Sequence, residues 1–334
     1  MTQSEYERVV NKVNELLTEN QEWETRFEDY AKDIQKNKDA YNEGLSKFQV
    51  NAPLYRYTKV GIVKDNKLEY DIRFCGQSIA TISVKKDDVL ISTKRESIKY
   101  FDDNIPILQL DKENWKSKKS SKFRNAFTEE LQKKEKGKSI EHYVENILLA
   151  EFKKGKSVDK KLCNIQPVKL CGLFFQLPTP LLASKGFEEL KYAKESGGGI
   201  DILARVRHKN NSVHLSVMEL KDENTSKEPP QKAMEQAIAY STFLARLLRS
   251  KSGNEWYKIF GFKGNIPKVL IIDATIVMPY DKIRNTNFET INEIYVSDKT
   301  YIKLYSLYFQ RDKNNIQEFA GSLKDDMLPH NPKK

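Results

Sequence analysis

The reading of this chain turns on Gly199-Ile-Asp-Ile-Leu-Ala-Arg-Val-Arg-His-Lys-Asn-Asn-Ser-Val-His-Leu-Ser-Val-Met-Glu-Leu-Lys221. Two β-rich runs, 199–207 and 213–221, flank Lys209-Asn210-Asn211, a good tight-turn sequence, so the segment predicts an antiparallel hairpin. Asp201 and Glu219 stand equally far from Asn210, which places them opposite one another with Cβ atoms about 5 Å apart. Like charges so placed repel unless a cation or proton lies between them. Lys221, two residues past Glu219, points to the same face, and Leu220 points away. Glu-x-Lys also occurs at Glu151-Phe-Lys153 and Glu189-Leu-Lys191, but only Glu219 and Lys221 end an apolar run (Val213, Leu215, Val217, Met218) and have an aspartate on the preceding strand.

On either side of the hairpin the pattern is mixed. Ser139–Phe152 reads as a helix with Ile140, Val144, Ile147 and Leu148 on one face, and Gln166–Leu177 as extended chain ended by Pro178 and Pro180. A second helix begins at Pro229-Pro230, where proline is tolerated in the first turn, and runs to about Ser250. Val269–Met278 reads as a strand buried on both faces. The aromatic run Tyr301–Phe309 completes or covers the sheet, and the tail from Lys324 to Lys334 reads as disordered.

The preceding half divides differently. Val9, Val13, Leu16, Asn20, Trp23, Phe27, Tyr30, Ile34, Asn37 and Tyr41 follow a 4-3 spacing that predicts one long amphipathic helix over 1–50, ending before Pro53. Its seam suits either a homodimer or partner protein, or packing against the rest of this chain. Short runs at Lys59–Val63, Leu68–Phe74, Ser78–Val84 and Val89–Ser92 predict a small β-rich module over 54–110. Residues 111–138 read as a basic linker: 112–138 carry ten Lys or Arg against four Glu, with Trp115, Phe123 and Phe127 interleaved. Lys118, Lys119, Lys122 and Arg124 are its candidate phosphate contacts, with a plain solvated face as the other reading.

Composition excludes several classes. The 334 residues have room for about two domains. With 57 Lys plus Arg against 47 Asp plus Glu, the net charge of +10 favours a polyanionic partner. No apolar run approaches the ~18 residues of a membrane span, and the opening lacks a signal peptide's apolar core, so a cytoplasmic protein with no membrane partner is expected. Cys75, Cys163 and Cys171 form no CxxC pair, and the four histidines form no HExxH, so metal chemistry is expected to rest on carboxylates. Two carboxylates beside an ammonium match what Mg²⁺-assisted phosphodiester hydrolysis requires, with Asp201 and Glu219 as hard oxygen ligands and Lys221 beside the attacking water. The competing reading is an exposed hairpin whose charges keep its edge soluble.

These residues resemble the PD-(D/E)xK nuclease superfamily. The resemblance covers about 139–280, and the order helix, strand, hairpin, helix, strand matches that family's αβββαβ core. It implies an α/β, restriction-endonuclease-like nuclease domain over 139–325 with a mixed central sheet. Asp201 fits the signature aspartate, although Ile200 replaces the preceding proline, and Glu219 and Lys221 fit the E-x-K part. A helical glutamate that joins the metal site in this family matches Glu141, with Glu145 in reserve. Gln236 and Tyr240 resemble a Q-x-x-x-Y element, and their spacing puts both on one helical face; Gln236 would hold substrate or a metal-bound water, and Tyr240 a phosphate or base. The Gly197–Gly199 run suits a bulge or close substrate approach, or a simple loop. The implied activity is a Mg²⁺-dependent (or Mn²⁺-dependent) endonuclease on DNA rather than RNA, in prokaryotic restriction or anti-phage defence. The alternative is a catalytically inactive core serving as a nucleic-acid-binding or assembly subunit.

Overall fold

The structure, a computed structural model, describes residues 2–74, 76–98, 109–127, 140–154, 160–194, 197–223, 229–280, 291, 293–312 and 315–329. The chain divides into two compact units, one of 1–31, 147–168 and 176–334, the other of 32–146 and 169–175. This division departs from the expected one, because the second unit takes in the basic segment, the start of the helix after it and a later strip of chain.

The single helix expected over 1–50 is two, α1 (Gln3–Glu19) and α2 (Glu22–Ser46). Thr2 and Glu5 form a capping box that starts α1, the Thr2 amide donating to Glu5 Oε2 at 2.6 Å. The break falls at Asn20, which leaves helical geometry while its side-chain amide donates to the Leu16 carbonyl at 2.8 Å. Trp23 Nε1 donates to the Leu17 carbonyl at 3.0 Å, so the freed backbone acceptors of the last turn are satisfied locally.

The second unit is built on an antiparallel meander of β1 (Leu54–Thr58), β2 (Leu68–Phe74), β3 (Gln77–Lys85), β4 (Asp88–Thr93) and β5 (Glu113–Asn114). The strand expected at Lys59–Val63 lies earlier, at β1. Asp65 and Asn66, both at positive φ, make the reversal before β2. After the short α3 (Arg95–Ile98), α4 (Lys118–Asn125) starts where Ser117 Oγ accepts the Ser120 amide at 3.1 Å. The described part of the basic segment is therefore not a linker: Trp115, Phe123 and Phe127 are buried with Phe48, Tyr70 and Phe74 in this unit's core. Residues 128–138 lie outside the described residues.

The first unit is mixed α/β. After α5 (Ile140–Lys154) come β6 (Ile165–Pro167), the small pair β7 (Leu181–Leu182) and β8 (Lys191–Tyr192), β9 (Ile202–Arg207), β10 (Val213–Leu220), α6 (Pro230–Arg249), α7 (Gly253–Ile259), β11 (Leu270–Pro279), β12 (Ile294–Ser297), β13 (Thr300–Asp312), β14 (Asn315–Ala320) and α8 (Ser322–Asp326). The sheet order is β12-β13-β11-β10-β9-β6, with β14 also on β13. β6, β9 and β10 are antiparallel, and β10, β11 and β13 run parallel. A parallel step from β10 to β11 needs a crossover, and α6 supplies it, packed on both strands. The aromatic run therefore completes the sheet as β13.

Within this unit the helical seam is spent inside the chain. Trp23 and Phe27 meet Phe243 of α6 with ring centroids 5.7 and 5.0 Å apart, and Trp256 Nε1 donates to the Phe27 carbonyl at 3.0 Å. The tail is ordered through α8, where Leu323 and Met327 are fully buried; residues 330–334 lie outside the described residues. Among the described residues no helix is long and apolar enough to cross a membrane.

Candidate active site

The hairpin forms as its turn chemistry dictates. Asn211 takes positive φ, which asparagine tolerates, and Asn210 Oδ1 accepts the Ser212 amide at 2.9 Å. The resulting register pairs Val213 with Arg207 and Met218 with Ile202, so the next positions are Asp201 and Glu219. Asp201 sits in a bend at the ladder's end, where its Oδ2 accepts the Leu220 amide at 3.0 Å. Its carboxylate is thereby held at the mouth of the hairpin.

Glu219 is 1% exposed and Lys221 6%, and Lys221 Nζ donates to Glu219 Oε1 at 2.7 Å. The shared face expected from strand alternation is what brings the two together. The backbone beyond β10 stays tied to β11, because the Lys221 amide donates to the Val277 carbonyl at 2.9 Å.

α6 contributes Gln236 and Tyr240, both buried and one turn apart. Burial first, then the charges of Glu219 and Asp201, push the Tyr240 hydroxyl well above its ordinary range, while Gln236 and the Ala183 backbone act against the shift. Tyr240 thus stays a neutral hydroxyl beside the two carboxylates. Gly198 explains the glycine run: a Cβ there would lie 2.0 Å from Tyr240 Oη, so only glycine lets the backbone pass. Gly198 is fixed against the neighbouring chain, its amide donating to the Leu181 carbonyl at 2.7 Å.

Asp201, Glu219, Lys221, Gln236 and Tyr240 therefore come together within the first unit. The donor chemistry of Asp201 and Glu219, two carboxylates at one strand end with an ammonium and a neutral phenol nearby, fits a hard divalent cation.

The remaining candidates lie in the second unit. Glu141 is half-buried on α5. Glu145 is buried and accepts from the Tyr57 hydroxyl at 3.3 Å. It lies in a network with Arg73, whose guanidinium is 2.9 Å from Asp71 and 4.3 Å from the Tyr57 ring centroid. Lys118, Lys119 and Lys122 are exposed on α4, whereas Arg124 donates to the Trp115 carbonyl at 2.7 Å and lies 4.0 Å from that ring's centroid.

Sequence reasoning missed a second constellation in the first unit. His208 Nε2 and His214 Nδ1 lie 2.9 and 3.0 Å from the two oxygens of Asp273, which is fully buried on β11. Burial pushes that carboxyl up, but its hydrogen bonds to both rings hold it below the ordinary aspartate value. Two signals were available: half of the chain's histidines flank one turn, and a lone aspartate interrupts the apolar run Val269–Met278. The group offers a metal two imidazoles and a carboxylate, ligands that the expected all-carboxylate chemistry left out. No family model, curated protein or solved structure matches this chain.

Proposed function

We propose that this chain is a divalent-metal-dependent nuclease of the PD-(D/E)xK, restriction-endonuclease-like type that hydrolyses DNA phosphodiester bonds. The observation that carries the reading is the hairpin register, which sets Asp201 beside Glu219 with Lys221 on the same face as Glu219. The order α5, β6, β9–β10, α6, β11 is the helix, strand, hairpin, helix, strand order of that superfamily's core and supports the same reading.

Asp201 and Glu219 would hold Mg²⁺, or Mn²⁺. The bound ion supplies phosphate polarisation and a lowered pKa for its water. Lys221 orients the attacking water and offsets charge building on the phosphate. Tyr240, kept protonated by burial and its two acidic neighbours, donates to a phosphate oxygen, and Gln236 positions substrate or water beside it. Gly198 lets the strand approach without a side chain in the way. Lys118, Lys119 and Lys122 neutralise backbone phosphates. DNA ranks ahead of RNA on the superfamily resemblance, as does an endonuclease role in cytoplasmic restriction or anti-phage defence.

The test is a cleavage panel of supercoiled plasmid, linear duplex, single-stranded DNA and RNA, with Mg²⁺, Mn²⁺ or EDTA, beside Lys221→Ala. Metal-dependent cutting of DNA, lost in the variant while nucleic-acid binding persists, is expected. Equal binding by both proteins with no cutting in any metal would leave the inactive, nucleic-acid-binding core as the reading.

A further inference from the structure

We propose that His208, His214 and Asp273 form a second metal site, selective for a zinc-class transition ion, that fastens the turn end of the β9–β10 hairpin to β11 and to α8. The ligand atoms all lie within 4.8 Å of one another. Ligands about 2.1 Å from a tetrahedral ion lie about 3.4 Å apart. The two rings lie 2.9 and 3.0 Å from different oxygens of Asp273, so a small rearrangement that opens the set at the carboxylate and brings the rings into that geometry would admit one. Two imidazoles and a carboxylate suit a borderline ion such as Zn²⁺ rather than Mg²⁺.

The surroundings are those of a built site. A metal-binding histidine characteristically donates its other ring N–H to a carboxylate, which fixes ring orientation and raises ligand basicity. His208 Nδ1 faces Asp326 Oδ2 at 3.0 Å, and that oxygen also accepts from the Tyr305 hydroxyl at 2.6 Å. Asp326 ends α8, and its carbonyl also accepts the Lys209 amide at 2.7 Å, so the ring links the hairpin to the C-terminal segment. His214 also lines a cavity of about 300 Å³ with Tyr257 and Phe262.

The site is separate from Asp201 and Glu219. Strand alternation puts His214 and Glu219 on opposite faces of β10, five residues or about 16 Å apart. Ser216, directly paired with Asp273, shares the His214 face.

The full chain, stripped with EDTA and dialysed free of it, is titrated with Zn²⁺ by calorimetry and with Co²⁺ by visible absorption. One equivalent is expected at this site, with the intense bands of tetrahedral Co²⁺, and both should survive in Asp201→Asn/Glu219→Gln. His214→Ala should weaken uptake at least about 100-fold, and Asp326→Asn, which leaves every ligand in place, about 10–100-fold. No uptake by the wild type, uptake lost with Asp201 and Glu219, or uptake indifferent to Asp326→Asn overturns the assignment. The last arm decides even where His214→Ala fails to fold.

Discussion

Lys221 Nζ and Glu219 Oε1 are 2.7 Å apart, and both side chains are buried at the end of β10. Desolvating two charges costs several kcal/mol, and their attraction in the interior does little more than offset it, so stability alone gives weak reason to keep such a pair. Chemistry gives a stronger one. Replacing both partners by apolar residues, Glu219→Leu/Lys221→Met, should leave chemical stability unchanged or raise it by about 1–4 kcal/mol while abolishing cleavage. Glu219→Ala alone should cost about 3–5 kcal/mol, because it removes the carboxylate that pairs with a buried ammonium. Denaturant midpoints beside cleavage rates separate the two roles; a double variant that still cuts would remove the pair from the mechanism.

Gly198→Ala should disable the site without unfolding the chain, since the added carbon would meet Tyr240 Oη at 2.0 Å and must displace either the ring or the strand. Tyr240→Phe, which removes only the hydroxyl, should slow cleavage with little change in substrate affinity. Combined, the two changes remove the clash with oxygen and leave only the tight 3.0 Å approach to the ring carbon Cζ, so the double variant should cut far better than Gly198→Ala and close to Tyr240→Phe. A double variant as dead as Gly198→Ala would show that the strand, not the tyrosine, carries the effect.

The exposed lysines of α4 give a salt-dependence prediction. Counterion release makes the slope of log affinity against log salt change by about 0.9 for each phosphate that a variant ceases to neutralise on duplex DNA. Alanine at Lys118, Lys119 and Lys122 should flatten the slope by up to about 2.7 while leaving sequence preference alone. Fluorescence anisotropy at four salt concentrations reads this directly. An unchanged slope would return the three lysines to a merely solvated helix face.

The second unit should lose stability in acid through Asp71. Burial pushes that carboxyl up, but Arg73, Lys94 and the Ser78 hydroxyl outweigh it and hold it below the ordinary value of 3.8. With the folded value depressed, the unfolded chain takes up the proton first as pH falls. The stabilisation is therefore complete above the ordinary value and is lost as pH falls through the folded one, below about pH 4. Asp71→Asn should flatten that part of the stability profile and lower stability at neutral pH by removing one of the two carboxylates that act on Arg73. A profile as steep in the variant as in the wild type would move the acid sensitivity elsewhere.

How much of the fold is legible in the sequence follows locality. The hairpin register was legible because the turn and the alternation on both sides of Asn210-Asn211 are local signals, and the crossover helix was legible because Pro229-Pro230 marks its start. Gln236 and Tyr240 reach the carboxylates because the helical repeat fixes their shared face. The division of the chain was not legible: the strip 169–175 joins the second unit through the Phe174 carbonyl, which accepts the Thr58 amide at 2.8 Å, a pairing with no local signature. Charge misled over Lys116–Lys122, where Trp115, Phe123 and Phe127 outweigh the lysines and turn a supposed linker into core. The seam of the first helices continued through Asn20 in sequence, but that side chain's bond to Leu16 ends α1 instead. Asp273 stayed hidden because its two partners come from a hairpin 59 and 65 residues away in sequence.

The decisive measurement is nicking of supercoiled plasmid in Mg²⁺ by wild type, Asp201→Asn and Glu219→Gln, each shown by circular dichroism to be folded. Both carboxylates are the proposed metal ligands, so cutting is expected from the wild type alone, abolished by EDTA and restored by added Mg²⁺ or Mn²⁺. Cutting that survives in either variant, or that persists in EDTA, would overturn the nuclease reading.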